Sequence, residues 1–322
     1  MSNTLLQVED LRTYFMTRRG VVKAVDGISF SVDRGQTLGI VGESGSGKSI
    51  TAMSILRLVP QPAGKIVSGS IKLDGDDLVK KSQKQMRKVR GKKVAIILQD
   101  PMTSLDPAFT VGNQIMEAVQ LHQKAQSSRA RWEKVVEALK LVRIPDPWSR
   151  LKQYPHQMSG GMRQRVTGAI ALSCQPLLLI ADEPTTSLDV TIQAQYLKLL
   201  RQVREESNVG MIFITHDLGI VAKMCDHVAV MYAGKIVEAA DTVELFRHPT
   251  HPYTIGLLSC IPKTEVRVAK LFCIEGQPPT LENLPPGCKF APRCMRAEER
   301  CRQEYPPEKT IGPNHIASCW FI

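Results

Sequence analysis

Residues 42–49 read GESGSGKS and fit the pattern G-x-x-x-x-G-K-[ST]. In this pattern Gly42, Gly45 and Gly47 let backbone N–H groups close around phosphate oxygens. The chain after the loop reads as a helix, whose N-terminus places about half a positive charge against the same anion. Lys48 can reach the β- and γ-phosphates, and Ser49 can ligate Mg²⁺. Glu43, Ser44, Ser46 and Ile50 complete the candidate nucleotide-binding stretch. A second constellation is LLLIADE at 177–183, an apolar run that ends in two carboxylates. Asp182 can hold a metal through water, and Glu183 can orient and deprotonate an attacking water. General-base help of that kind is worth about 10²–10⁴ in rate. The plainer alternative is a surface Asp-Glu pair.

A third group lies near the C-terminus. Cys288, Cys294, Cys301 and Cys319 are separated by five, six and seventeen residues. Zinc sites favour close C-x₂₋₄-C pairs, which are absent here. Iron–sulfur sites also often use short gaps, so spacing alone leaves iron–sulfur, zinc and plain reduced thiols open. A disulfide fits poorly with a cytosolic chain, and the N-terminus MSNTLLQVEDL shows no export signal. Lys289, Arg293, Arg296, Arg300 and Arg302 surround these cysteines and would offset thiolate charge. Cys174, Cys225, Cys260 and Cys273 read as ordinary thiols.

The elements that must position these residues follow from periodicity. LLQVEDLRTYF (5–15) alternates as a half-buried strand, and VVKAVDGISFSVDRG (21–35) reads as a strand ending in a turn. TLGIV before the loop is a strand, and ITAMSILRLV after it is a helix. VSGSIKLDG, KKVAIILQD, PLLLIADEP, VGMIFITHD and HVAVMYAGKIVEA supply further strands. Residues 105–175 turn helical, with apolar residues at helix spacing. The pattern predicts an α/β core interrupted by a helical insert. Eleven of the twenty prolines lie after residue 248, so the tail is expected to build little regular structure and a poor core of its own.

The chain of 322 residues carries 42 basic and 31 acidic side chains, a formal net charge of +11. Such a charge suits nucleic acid, an anionic membrane surface or a phosphate ligand. The densest patch, KKSQKQMRKVRGKK (80–93), lacks aromatic stacking residues, which favours a solvated face over nucleic acid. No apolar run approaches the roughly 20 residues of a membrane helix.

MSGGMRQR (158–165) carries a resemblance. Together with the phosphate loop, Gln99 in ILQDP, LLLIADEP, SLD (187–189) and His216 in ITHD, it resembles the ATPase subunit of ABC transporters over roughly residues 5–245. That resemblance implies a P-loop NTPase (RecA-like) cassette of the α/β class, with an antiparallel β-subdomain and a helical insert. Ser159, Gly160, Gly161 and Gln164 would form the signature that grips the γ-phosphate of ATP held by a partner subunit. His216 would contact the γ-phosphate and position water with Glu183. Gln99 would sense Mg²⁺ and water, and Asp189 would connect the two sites across the dimer. An aromatic near the first strand would stack on adenine; Phe15 has the expected offset, with Tyr14 as its rival. Met158 stands where Leu is commoner, and Ser187 follows Thr186 where many members have Ala in the triplet. Both departures are mild.

HPTHPYTIGLLSCIP (248–262), YPHQMSGG (154–161), QDPMTSLDP (99–107) and DEPTTSLDVTIQAQ (182–195) extend the resemblance to the dipeptide/oligopeptide importer subfamily. It implies a cassette over residues 1–248 and an extension over 249–322, with a four-iron, four-sulfur (4Fe-4S) cluster on the four cysteines; zinc is the alternative. It also implies ATP and Mg²⁺ as ligands. The partners would be a second, non-identical ATPase subunit, two transmembrane permease subunits and an external peptide-binding protein, with no nucleic acid. The chain would lie peripherally at the cytoplasmic face of the inner membrane. Nickel or other metal chelates are the neighbouring cargo class. A soluble ATPase acting on nucleic acid or ribosomes, and a nucleotide sensor without turnover, are readings of another class.

Overall fold

The computed structural model describes residues 3–99, 104–123, 127–186, 188–261 and 272–322. Ser187, residues 100–103 of the QDPMTSLDP stretch and Pro262 therefore lie outside the described residues. In chain order the first elements are β1 (Thr4–Thr17), β2 (Gly20–Asp33), β3 (Thr37–Val41), α1 (Lys48–Ile55), β4 (Gly64–Leu73), β5 (Asp76–Asp77), α2 (Gln83–Val89) and β6 (Val94–Ile97). Then come α3 (Val111–His122), α4 (Ser128–Leu141), α5 (Pro147–Arg150), α6 (Gly160–Leu172), β7 (Leu178–Asp182), α7 (Val190–Ser207), β8 (Gly210–Ile214) and α8 (Leu218–Met224). The chain ends with β9 (His227–Tyr232), β10 (Lys235–Asp241), α9 (Thr242–Arg247), α10 (Pro252–Ser259), α11 (Glu299–Gln303), β11 (Lys309–Gly312) and β12 (His315–Ala317).

The chain divides into two units. One comprises Lys80–Phe213 with the short stretches Met1–Leu5 and Val32–Gln36. Its strands β6 and β7 pair in parallel, Val94 to Leu178 through Ile97 to Ala181, and all five residues of β7 are buried. Burial on both faces explains why LLIAD reads as a continuous apolar run ending in its carboxylate. Helices α3, α4 and α6 pack together through Val111, Ile115 and Val119, through Val135, Val136 and Leu139, and through Val166 and Ala169. These recur three and four residues apart, as one helix face requires. The basic patch forms α2, opened by a capping box between Ser82 and Gln85. Met86 and Val89 are buried, while Lys84, Arg87 and Lys88 face outward, so the helical part of the patch is a solvated face.

The other unit comprises Leu6–Ser31, Thr37–Val79 and Ile214–Ile322. It contains a four-stranded sheet in the order β2-β1-β4-β5, with β4 antiparallel to both β1 and β5. It also contains β3 parallel to β9, followed outward by antiparallel β10, β12 and β11. The Pro-rich tail builds only short elements, as expected, but two of them join a sheet of the unit. β12 adds to the edge of β10, with Glu238 opposite Ala317, and β11 adds to β12. An open edge supplies backbone partners without a separate core. The tail is also pinned by one buried carboxylate, Glu238, which is 0% exposed. It accepts N–H bonds from Thr250 at 2.7 Å and His251 at 2.9 Å, and His315 Nε2 lies 2.8 Å from it.

Candidate functional site

The phosphate loop joins β3 to α1, and its glycines are fixed by geometry. Gly42 has φ of 151° and Gly47 has φ of 105°. A Cβ at Gly42 would meet the Met231 carbonyl oxygen at 2.2 Å, and one at Gly47 would meet that of Ala24 at 2.3 Å. Both positions therefore exclude a side chain by conformation and by space. Lys48 is buried; its Nζ donates to the carbonyl oxygens of Gly42 at 2.7 Å and Glu43 at 2.9 Å, with Ser46 Oγ at 3.5 Å. Ser44, Gly45 and Ser49 are exposed, and Ile50 is half-buried. No acidic residue occupies the first turn of α1, so nothing there opposes the attraction of its N-terminus for an anion. Glu43 is tied twice to the C-terminal part of the chain. Its N–H donates to the Tyr253 hydroxyl at 2.9 Å, and its carboxylate takes both terminal nitrogens of Arg293, at 2.7 and 3.0 Å.

The two aromatic candidates on β1 face opposite ways, since successive residues of a strand alternate. Thr13 is buried and hydrogen-bonds Ser54 of α1 at 2.8 Å. Phe15 shares that face and packs over Gly64, where a Cβ would meet its ring at 2.8 Å. Tyr14 turns to the other face, and its hydroxyl donates to Asp26 at 2.5 Å. Burial and the bond to Asp26 both push its phenol pKa up. Of the pair, only Phe15 shares the face that meets the helix following the phosphate loop. His216 sits in the same unit, exposed one residue beyond buried Thr215 at the end of β8. Asp217 then caps α8 by accepting from the N–H groups of Gly219 and Ile220.

The carboxylate pair lies at the end of β7. Asp182 is buried, and Glu183 is half-buried with φ of 47°, a left-handed conformation that costs a non-glycine residue about 1–2 kcal/mol. Glu183 Oε2 accepts from Gln99 Nε2 at 3.0 Å and from Thr186 Oγ1 at 3.1 Å. Parallel pairing of β6 with β7 sets this contact, because Gln99 and Glu183 each stand two residues beyond the matched pair Ile97 and Ala181. The structure thus joins the sequence-proposed base to the sequence-proposed glutamine by a direct bond.

Ser159 caps α6, its side chain accepting the Met162 N–H at 3.3 Å. Asp189 caps α7 in the same way through the Ile192 N–H at 2.9 Å. These two helix starts border one open groove of about 400 Å³, whose lining includes Ser159, Gly160, Gly161, Leu188 and Asp189. A Cβ on Gly161 would meet Ile192 at 2.7 Å, so the glycine lets the two helix starts approach. Gln164 does not share the groove: it is 1% exposed and faces the Tyr196 hydroxyl inside the unit. Met158 is buried, so its thioether takes the packing role of the commoner Leu.

The four C-terminal cysteines come together. Cys288, Cys294, Cys301 and Cys319 line one small apolar cavity with His251, Phe290, Trp320 and Phe321. None is in a disulfide. Burial pushes the Cys288 thiol up to about 11 and the Cys294 thiol upward as well. Among the described residues no group of three or more His, Cys, Asp or Glu side chains could hold a metal ion. This supports neither the 4Fe-4S cluster expected on these thiols nor its zinc alternative. The cations expected around the thiols divide: two are engaged elsewhere, and two stack on rings of the same cavity. Arg293 pairs with Glu43, Lys289 donates to the Pro285 carbonyl at 2.6 Å, and Arg296 and Arg300 stack over Phe321 and Trp320.

The family model described as ABC transporter matches residues 25–186. The chain belongs to this family. As an ABC ATP-binding cassette it is an ATPase, and its α/β P-loop architecture is that of the family. A second model, the C-terminal region of oligopeptide/dipeptide transporters, matches residues 237–301. The ABC chain is 49% identical over 317 residues to the dipeptide transport ATP-binding protein DppD of Bacillus subtilis, covering 98% of this chain and 94% of that one. It is 48% identical over 319 residues to the oligopeptide transport ATP-binding protein AppD of the same organism, covering 99% and 97%. Among solved structures, a dimeric ATP-binding cassette in a post-hydrolysis state, bound to ADP and phosphate, superposes with a TM-score of 0.66. It is 22% identical and spans 74% of this chain and 99% of its own, a likeness of fold. Among the described residues of this ABC ATPase, no helix is long and apolar enough to cross a membrane.

Sequence reasoning missed Tyr253 and Glu238 altogether, and it gave Arg293 another role. Glu43 lies 210 residues from Tyr253 and 250 from Arg293, and the farthest partner of Glu238, His315, lies 77 away, beyond any local pattern.

Proposed function

We propose that this chain is the ATP-hydrolysing subunit that powers import of di- and oligopeptides across a bacterial inner membrane. The observation that carries this reading is near end-to-end identity, at 48–49%, with dipeptide and oligopeptide transport ATP-binding proteins. The cassette is assigned to residues 1–248 and the subfamily extension to 249–322, with the helical subdomain at about 105–175. Two transmembrane permease subunits and an external peptide-binding protein handle the cargo. A second, non-identical ATPase subunit completes the motor, and the assembly lies at the cytoplasmic face. ATP binding closes the pair of ATPase subunits and hydrolysis reopens it, so the work comes from the different affinities of the two states for nucleotide.

Each side chain has a stated task. Lys48 and the loop N–H groups would hold the phosphates, and Ser49 and Asp182 would hold Mg²⁺, which would offset the charge that develops on the phosphate oxygens. Glu183 accepts the proton of the attacking water. Its bond to Gln99 keeps the carboxylate aimed, and His216 positions the same water. Phe15 is assigned to adenine. Ser159, Gly160, Gly161 and Asp189 complete the partner's pocket, and their common groove supports that assignment.

The four cysteines are assigned to a 4Fe-4S cluster that staples the Pro-rich extension. What supports this is that all four line one cavity. Iron and sulfide analysis with visible absorbance tests the cluster: brown protein that bleaches in Cys294→Ser is expected, and colourless protein from anaerobic preparation overturns it. For the transporter, cells lacking this chain should fail to take up labelled tripeptide. The wild-type gene should restore uptake, and Glu183→Gln should not. Uptake that persists without the chain would refute the reading.

A further inference from the structure

An acidic side chain inside a loop built for anions is electrostatically out of place. Glu43 is the second residue of the phosphate loop, and its charge opposes a bound triphosphate unless it is neutralised. Arg293 supplies the neutralising charge from 250 residues further along the chain. Its Nη1 donates to Glu43 Oε2 at 2.7 Å and its Nη2 to Oε1 at 3.0 Å, the two-pronged geometry that only arginine provides. The Arg293 side chain is 4% exposed, so the pair is held away from solvent on that side. The rest of the guanidinium is held as well. Nε donates to the Glu275 carbonyl at 3.0 Å, Nη2 to that of Ile274 at 3.4 Å, and Nη1 to the Tyr232 hydroxyl at 3.3 Å. Tyr232 packs on Tyr253 at 4.6 Å between ring centres, and Tyr253 accepts the Glu43 N–H. Side chain and backbone of one loop residue are thus clamped from the same side.

We propose that Arg293 is a positioning residue of the nucleotide site. It neutralises and orients Glu43, so that the loop can accept a triphosphate, and through it the C-terminal extension sets the affinity of the chain for ATP. This rests on the reading of residues 42–49 as the ATP cradle. Arg293 touches no reacting atom; its effect passes through Glu43. It should therefore move binding and KM far more than kcat.

The test is titration of the full-length chain with Mg²⁺ and a fluorescent ATP analogue, with steady-state turnover measured in parallel. Arg293→Ala should weaken binding and raise KM about tenfold, with kcat changed less than about twofold. The defect should shrink at high salt, because screening relieves an unpaired Glu43 charge. Adding Glu43→Gln to Arg293→Ala should bring affinity back to within about threefold of wild type, since an uncharged side chain needs no neutralising partner. Arg293→Lys keeps the charge without the fork and should fall between. If Arg293→Ala folds poorly, the Arg293→Lys variant and its combination with Glu43→Gln give the same comparison. Wild-type affinity in Arg293→Ala, or a double variant no better than Arg293→Ala, overturns the proposal. Lys48→Ala separates the two levels. If it leaves nucleotide binding intact, the cradle reading fails. If it abolishes binding while the Arg293 series behaves as wild type, only the clamp fails.

Discussion

The phosphate loop and the C-terminal extension hold their shapes by opposite means. In the loop the backbone does it: glycines with left-handed φ, carbonyl oxygens that fill the space of a Cβ, and Lys48 folded onto two of the loop's own carbonyls. The glycines and Lys48 all lie inside the loop itself, and only the carbonyls of Ala24 and Met231 that close on the glycines come from elsewhere in the chain. In the extension, side chains do it across long stretches of sequence. Glu238 gathers Thr250, His251 and His315, and Arg293 reaches Glu43. Segments poor in regular structure have few ladder bonds to hold them, so a small number of buried polar ties carry the load. Damage to the loop should therefore act on nucleotide first, and damage to the extension on stability first.

The largest expected effect is at Glu238. Glu238→Ala leaves the N–H groups of Thr250 and His251 and the ring of His315 without their buried acceptor, and breaking such a site costs about 3–5 kcal/mol. A thermal melt should show the loss, and limited proteolysis should cut the extension before the cassette. Cleavage that begins in the helical insert instead would erase the contrast between the regions. Gly47→Ala comes next. A strained backbone plus a steric clash costs about 3 kcal/mol, which is roughly 100-fold in affinity if it falls on the nucleotide. Fluorescent-nucleotide titration should register it while the melting temperature changes little. A variant that binds normally would mean the loop does not depend on this conformation. The smallest effect is at Tyr253, where the two regions meet. Tyr253→Phe keeps the ring against Tyr232 and removes only the acceptor of the Glu43 N–H, worth about 1 kcal/mol. Kd for ATP should rise about fivefold. An equal fall in stability with no change in Kd would place Tyr253 with the extension alone.

The same division explains what could be read from the sequence. The loop, β7 with its terminal carboxylates and the capped start of α6 are local patterns, and the structure places each on the expected element. The contact of Gln99 with Glu183 needed only the pairing of β6 with β7, so proposing both residues at one site was within reach. The tail was harder. Its prolines argued correctly for irregular chain between 272 and 290, but composition says nothing about β11 and β12 joining the edge of β10. Arg293 shows the limit most clearly. Sequence proximity to Cys294 assigned it to the thiols, whereas folding turns it to a carboxylate in the phosphate loop. Charge pairing across such a span follows from tertiary structure and leaves no periodic trace. Gln164 is a related case: it belongs to the signature stretch in sequence, yet helix geometry turns it inward toward Tyr196.

The central claim is that Glu183, held by Gln99, is the base for hydrolysis of ATP cradled at residues 42–49. Turnover and nucleotide binding measured together on Glu183→Gln test it most directly. Binding should survive, turnover should fall about 10²–10⁴-fold, and an ATP-dependent dimer should accumulate. Turnover equal to wild type, with ATP bound normally, would contradict the account.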